Sequence, residues 1–186
     1  MPSPIGHTLA GCAVALALTP PQMSQSQAWQ AWALCVISAN LADMDFIPGL
    51  LTGDPRHFHR GPSHSLMAAI VVAGLGASLL TWWSVPWLTR AGLIFLAYAS
   101  HVGLDYFTPG RGVLLSWPIS HRRYQAAYPW FRGITLGKTR QSFFFEIDPK
   151  HLLAAIRREV LLVAPGVAVL ALARTLTWLP LGNFLF

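Results

Sequence analysis

The chain has 186 residues, 54% of them hydrophobic and only 11% charged, with a mean hydropathy of +0.47 and a formal net charge of +6. A soluble domain carries about a quarter charged residues, so this composition excludes an ordinary water-soluble enzyme and points to one membrane-embedded domain over residues 1–186. The positive balance is that of basic loops beside a membrane, and no nucleic-acid partner is expected.

The first apolar run, Ile5 to Thr19, stops at Pro20-Pro21. No positive residue precedes it and His7 interrupts it early, so it is expected as a retained helix rather than a signal peptide. The second run, Trp29 to about Leu51, is broken near Pro48-Gly49. The third, Ser63 to about Trp83, has about 20 residues, the length that crosses the hydrocarbon core. Ser63, after Pro62, is its expected N-cap, and Gly74 with Ser78 its expected small-residue packing face. The fourth run, Ala91 to Phe107, ends before Pro109-Gly110. A polar, basic connection rich in Pro and Gly follows over 108–148, a length at which loops are often functional. It holds Val113-Leu114-Leu115 and Phe143-Phe144-Phe145, which read as short strands or interfacial patches. The fifth run, Pro149 to Trp178, has Asp148 as N-cap and Pro149 as first helical residue. Its first turns, His151 to Glu159, are amphipathic and expected at the surface, and Pro165 is a kink point. Cys12 and Cys35 lie in apolar runs and are expected as small core residues. The fold class expected is all-α: a polytopic membrane bundle of about five apolar helices with a long cytoplasmic loop.

Let the runs alternate in direction. One side then receives Arg56, Arg60, Arg111, Arg122, Arg123, Arg132, Lys138, Arg140, Lys150, Arg157 and Arg158, and the other only Arg90 and Arg174. The positive-inside rule makes the first side cytoplasmic. Trp29, Trp32, Trp82, Trp83, Trp87 and Trp178 fall at the opposite end, as an aromatic belt would.

This threading brings His7, Asp43, Asp45, His64, His101 and Asp105 to the cytoplasmic ends of four helices. Ionisable residues at membrane depth are costly and usually functional. His101 and Asp105 are four apart and share a helix face. Imidazole with carboxylate suits zinc, manganese or iron(II). Six donors exceed one tetrahedral zinc, so one or two ions are expected, with Asp43 or Asp45 bridging a pair. Ser63 and His59 are additional candidates. His57 and His59 sit in a basic loop and read chiefly as solvated, His121 and His151 as surface residues. Arg60, ahead of the Ser63 cap, offers a guanidinium suited to phosphate. Arg122 and Arg123 read as headgroup or topology charges. The opposite halves of the helices are almost wholly apolar, which argues against an ion path.

The pieces His7, Asp43-x-Asp45, His59-Arg60-Gly61-Pro62-Ser63-His64-Ser65, His101-x-x-x-Asp105 and the stretch from Gly112 to Trp117-Pro118 resemble the YdjM-like family of inner-membrane metal-dependent hydrolases, described as LexA-regulated. The resemblance covers roughly residues 1–120. That family looks distantly similar to the zinc-dependent phospholipase C and P1 nuclease group, which implies phosphoester hydrolysis. The group's N-terminal Trp ligand and a second His-xxx-Asp/Glu helix after Asp105 are absent, so a full three-metal site is not expected. The expected function is a multi-pass enzyme of the bacterial inner membrane, with its metal site facing the cytoplasm. It would hydrolyse a phospholipid or another phosphorylated, membrane-associated substrate through metal-activated water. The six donors would hold the metal, Asp45 would serve as base and Arg60 would stabilise the anion. The alternative is a non-catalytic protein whose metal ties four helix ends together.

Overall fold

The computed structural model describes residues 2–20, 22–133 and 148–178. They are helical, without a strand, in the order α1 (Pro4–Leu18), α2 (Gln25–Leu41), a 3₁₀ turn (Ala42–Asp45), α3 (Phe46–Thr52), α4 (Pro55–Phe58), α5 (Leu66–Leu79), α6 (Trp87–Tyr106) and α7 (Pro149–Trp178). Each start has a local cause. Ser3 caps α1, and Ser24 with Gln27 forms a capping box on α2. The third run starts later than expected. Its N-cap is Ser65, whose Oγ accepts the Ala68 amide at 3.1 Å, so α5 has 14 residues and Ser63 is left for other work. At α7 the Asp148 carboxylate accepts the Lys150 amide at 2.9 Å, as expected of a cap before Pro149.

Helix α6 is central, packing on α1, α2 and α5, while α7 lies along α1. The interior is built from small residues. Ala31, Cys35, Ser38 and Ala39 are the buried positions of α2, and Ala69, Ala73 and Ala77 those of α5. Gly11 of α1 meets α2 so closely that a Cβ there would lie 2.8 Å from the Cys35 carbonyl oxygen. Gly74 and Ser78 are not the packing seam. A Cβ on Gly74 would meet nothing within 4 Å, and Ser78 accepts the Trp87 indole N–H at 3.1 Å. The seam is the alanine row one position away. Large apolar residues point outward instead: Ile37, Ile70, Leu75, Leu79, Leu161, Val169 and Leu172 are exposed. The helical stretch Gln25–Thr52 is long and apolar enough to cross a membrane, and Pro4–Leu18 and Leu66–Leu79 are shorter apolar helices.

Two contacts fix α7 against α1. Glu159, fully buried, accepts the Ser3 amide at 2.7 Å and also binds the Ser3 hydroxyl. Arg174 donates to the Leu16 carbonyl at 3.2 Å and to that of Thr19. The two helices therefore run parallel, and α7 begins ten residues before its contact with Ser3. The opening turns are amphipathic as expected, but Ala155 and Glu159 are buried. The helix continues through Pro165.

The connection after α6 is not a free loop. Val113 pairs with Tyr124, the Leu66 amide donates to the Leu115 carbonyl at 3.1 Å, and the Ala126 and Trp130 amides donate to the carbonyls of Tyr106 and Phe107. Val113 and Leu114 are buried, so this apolar triplet packs on the bundle with a single bridge. Phe143-Phe144-Phe145 lies outside the described residues.

Candidate metal centre

The buried stripes of three helices end in ionisable side chains. On α6 the stripe runs Leu93, Ile94, Ala97, Tyr98, His101, Val102, Asp105, at the three-and-four spacing of one helix face. On α2 it continues through Ala39 and Ala42 into Asp43, and on α1 it begins with His7. A tightened 3₁₀ turn carries Asp43 and Asp45 out of α2. The segment 59–64 then returns to the same end. Its reversal at Arg60 uses a left-handed backbone, φ 60°, unusual for a residue with a side chain. His7, His64, His101 and Asp105 are fully buried there and Asp43 is 5% exposed.

The donors fall into two groups that share Asp43: Asp43, His59, His64 and Asp105, and His7, Asp43 and His101. Asp43 Oδ1 lies 3.5 Å from His101 Nε2 and 3.7 Å from His64 Nε2, and Asp43 Oδ2 lies 3.7 Å from His7 Nε2. His64 Nε2 is 2.9 Å from Asp105 Oδ2. Zinc bound at 2.0–2.1 Å in a tetrahedron separates its donors by about 3.4 Å, so these spacings suit a small divalent ion. The rings of His7 and His101 stack at 3.7 Å, which keeps both on the same side of Asp43.

Hydrogen bonds around the rim assign the nitrogens. His101 Nδ1 is 2.8 Å from the Ala39 carbonyl, which can only accept, so Nδ1 carries the hydrogen. His64 Nδ1 is 3.1 Å from Asp45 Oδ2 and likewise donates. The two Nε2 atoms that remain face each other at 3.1 Å. Neutral rings would oppose two lone pairs there, a contact that a shared proton or metal bound at the lone pairs would relieve. Burial disfavours charge on His64, which lies in the loop ahead of α5, but Asp105, Asp43 and Asp45 outweigh it and raise its pKa well above the ordinary histidine value. The same carboxylates favour a proton on His64, with which a cation would compete.

A fit to metal also shows in what lacks a partner. His7 Nδ1, His7 Nε2, Asp43 Oδ1 and His59 Nε2 are buried with no hydrogen-bond partner, a group that is costly unless something binds it.

Two residues expected to act on substrate have their polar atoms turned to other protein groups. Asp45 sits behind the histidines: Oδ1 takes His59 Nδ1 at 3.1 Å, and Oδ2 takes the Ser63 hydroxyl at 2.6 Å, the Arg60 amide at 3.1 Å and His64 Nδ1. Its oxygens are occupied by protein donors, and it orients ligands as carboxylates behind metal-bound histidines do. Arg60 is buried, with Nη2 on Asp105 Oδ1 at 2.8 Å and Nη1 toward the Thr108 carbonyl at 3.5 Å. It fixes Asp105 rather than facing solvent. Ser63 serves Asp45, and its carbonyl accepts the Tyr98 hydroxyl at 2.8 Å. His59 joins the cluster through Asp45, whereas His57, His121 and His151 are exposed away from it. Sequence reasoning missed Arg123, whose Nη1 donates to the Arg60 carbonyl at 2.9 Å and pins the strained turn from the far loop. No local motif signals that contact. The weight of His59 was legible only in its place within the His-Arg-Gly-Pro-Ser-His string.

Fold and site together define an all-helical protein with apolar outer faces and a buried His/Asp cluster that could hold a metal ion. The chain belongs to the YdjM inner membrane protein family, whose model matches residues 1–181. No curated protein and no solved structure gives a significant match.

Proposed function

We propose that this chain is a multi-pass protein of the bacterial inner membrane whose cytoplasm-facing centre binds two divalent metal ions and hydrolyses a phosphoester of a membrane-associated substrate. Small residues between helices and large apolar residues outside are how helices pack in lipid, where hydrophobicity does not drive association. The bias of Lys and Arg toward the metal end favours a cytoplasmic orientation. The observation that carries the metal reading is the pair of inward Nε2 atoms at 3.1 Å, ringed by buried donors without partners.

In this reading His7, Asp43 and His101 would hold one ion and Asp43, His59, His64 and Asp105 the other, with zinc favoured and manganese or iron(II) compatible. Metals bound there would supply Lewis acidity and lower the pKa of water near a phosphoryl group. Asp45 holds His59 and His64 in the ligating tautomer, and Arg60 holds Asp105. Among the side chains that would hold metal, His59 and Asp43 are the least covered, 12% and 8% exposed, so substrate and water would approach over them. The resemblance to the phospholipase C and P1 nuclease group supports the choice of phosphoester.

One observation favours the non-catalytic alternative: His7, His64, His101 and Asp105 are fully covered. A structural zinc is closed by protein ligands, whereas a catalytic one keeps an open position. The test is turnover of a panel of phosphomonoesters, phosphodiesters and phospholipids by the metal-loaded full chain in lipid nanodiscs. Hydrolysis that a chelator stops, that added metal restores and that His64→Ala lacks is expected. A metal-loaded protein that cleaves none of the panel, while metal still raises its melting temperature, would establish the structural role instead.

A further inference from the structure

Two sets stand out among the cationic residues at the metal end. Arg60 and Arg123 are turned inward, one onto Asp105 and the other onto backbone carbonyls. Arg132, Lys150, Arg157 and Arg158 instead line a continuous trough between the 129–133 segment and the opening turns of α7. It consists of two cavities of about 730 and 460 Å³ that share Arg132 and Arg158. Volumes of this order suit a small-molecule ligand. Among the described residues no carboxylate lines either cavity, and none of the four cations has an ion pair. Asp148, at the start of α7, is engaged by His151 and by the Lys150 amide. Arg158 is anchored by Nε, which donates to the Trp130 carbonyl at 2.6 Å, so its position is built rather than splayed into solvent. Four like charges around one concavity repel each other, and an anion relieves that cost.

Depth and flanking chemistry identify the anion. Glu159 contacts Ser3 at the first turn of α1, so Arg157 and Arg158 lie level with the helix ends. The ten residues from Pro149 to Arg158 rise about 15 Å beyond that level. Leu153 and Leu161, 67% and 64% exposed, share the trough wall with the charges, and Leu161 lies on the hydrocarbon side of Arg157. Pro129 lines the trough between Tyr128 and Trp130, 83% and 56% exposed. Amphipathic aromatic rings belong at headgroup depth, and cationic side chains there attract anionic lipid. Cations at the phosphate level, aliphatic side chains below and aromatic rings beside them match one class of ligand, a phospholipid.

We infer that this trough is a binding site for the headgroup of an anionic phospholipid from the leaflet at the metal end, separate from the metal centre and not consumed by it. The site rests on the membrane placement proposed above, and not on hydrolysis. The lipid phosphate sits among Arg132, Arg157 and Arg158, and an acyl chain descends along Leu161.

The experiment first reconstitutes the full chain into nanodiscs. It then titrates detergent-solubilised protein with phosphatidylglycerol, phosphatidylcholine or inorganic phosphate, reading the melting temperature and following metal content in parallel. Phosphatidylglycerol is expected to raise the melting temperature saturably, and the other two to leave it unchanged. Arg132→Gln and Arg157→Gln are each expected to weaken the lipid effect roughly fivefold, while Arg122→Gln, a charge outside the trough, leaves it intact. Metal content stays at the wild-type value in all three, which also shows that they fold. Equal stabilisation by phosphatidylcholine, or by inorganic phosphate alone, would overturn the proposal, as would an unchanged response in both trough variants. A chain that enters nanodiscs but shows no preference defeats this site alone. A chain that stays soluble without detergent and does not enter nanodiscs defeats the membrane placement and this site with it.

Discussion

The two ends of the bundle solve the same problem in opposite ways. Both bring polar groups into an apolar interior. At the tryptophan end these groups are mostly satisfied within the chain. Arg90 donates to the carbonyls of Leu80 and Trp83, closing the carboxyl end of α5, and Arg174 does the same for α1. Gln27 bonds Ser84 at 2.8 Å, and Thr19 bonds the Ala15 carbonyl at 2.6 Å. Cations at helix carboxyl ends also suit the helix dipole. Among the described residues the atoms left over there, Trp83 Nε1 and Arg90 Nε, are N–H donors that cannot ligate a metal. At the other end the leftovers are carboxylate oxygens and imidazole nitrogens. The same helices thus end in closed caps on one side and in an open set of lone pairs on the other. That difference sets a self-contained end against one whose His/Asp groups could hold a metal ion.

The comparison can be broken most decisively at Asp43, which belongs to both donor groups. Asp43→Ala is expected to remove essentially all bound metal, measured by elemental analysis of the purified full chain. The groups should separate next: His7→Ala and His59→Ala each leave about half the metal, because they touch different groups. If either empties both sites, the division into two is wrong. Asp45→Asn keeps the ligands but loses the carboxylate behind His59 and His64, and chelator competition should show metal affinity lower by roughly 10–100-fold.

Acidity provides a fourth test. A raised histidine pKa means that metal must displace a proton from His64. Affinity should therefore increase with pH until that histidine is deprotonated, and fall as pH is lowered. A pH-independent affinity would contradict the assignment of His64 as a ligand. The smallest effect lies away from both ends. Gly11→Val drives a side chain onto the Cys35 carbonyl and should cost about 1–3 kcal/mol of stability without changing metal stoichiometry.

Much of this was readable from residue order. The apolar runs gave α1, α2, α5, α6 and α7, and alternating their direction sent His7, Asp43, Asp45, His64, His101 and Asp105 to one end, where the structure has them. That worked because the period and length of an apolar run are local properties. Roles within the cluster were not legible, because they depend on which way each side chain turns. Asp43 and Asp45 are two residues apart and look equivalent in sequence, yet a 3₁₀ turn sends one to the centre and the other behind it. The contact of Arg60 with Asp105 was not legible, because neither its left-handed backbone nor that reach has a sequence signature. Ser63 and Ser65 were equally good caps by type, and only the start of α5 decides between them. The alanine seam of α5 was missed for Gly74 and Ser78 because a helix apolar on every face offers no stripe to read.

The most direct test of the central claim is anomalous scattering from crystals of the metal-loaded full chain, collected at the absorption edge of the bound element. Two peaks about 3.5–4 Å apart, on either side of the Asp43 carboxylate and within bonding distance of the His101 and His64 Nε2 atoms, are the expected result. A centre that stays empty at saturating metal, with His64 and His101 sharing a proton across their 3.1 Å contact, would contradict it.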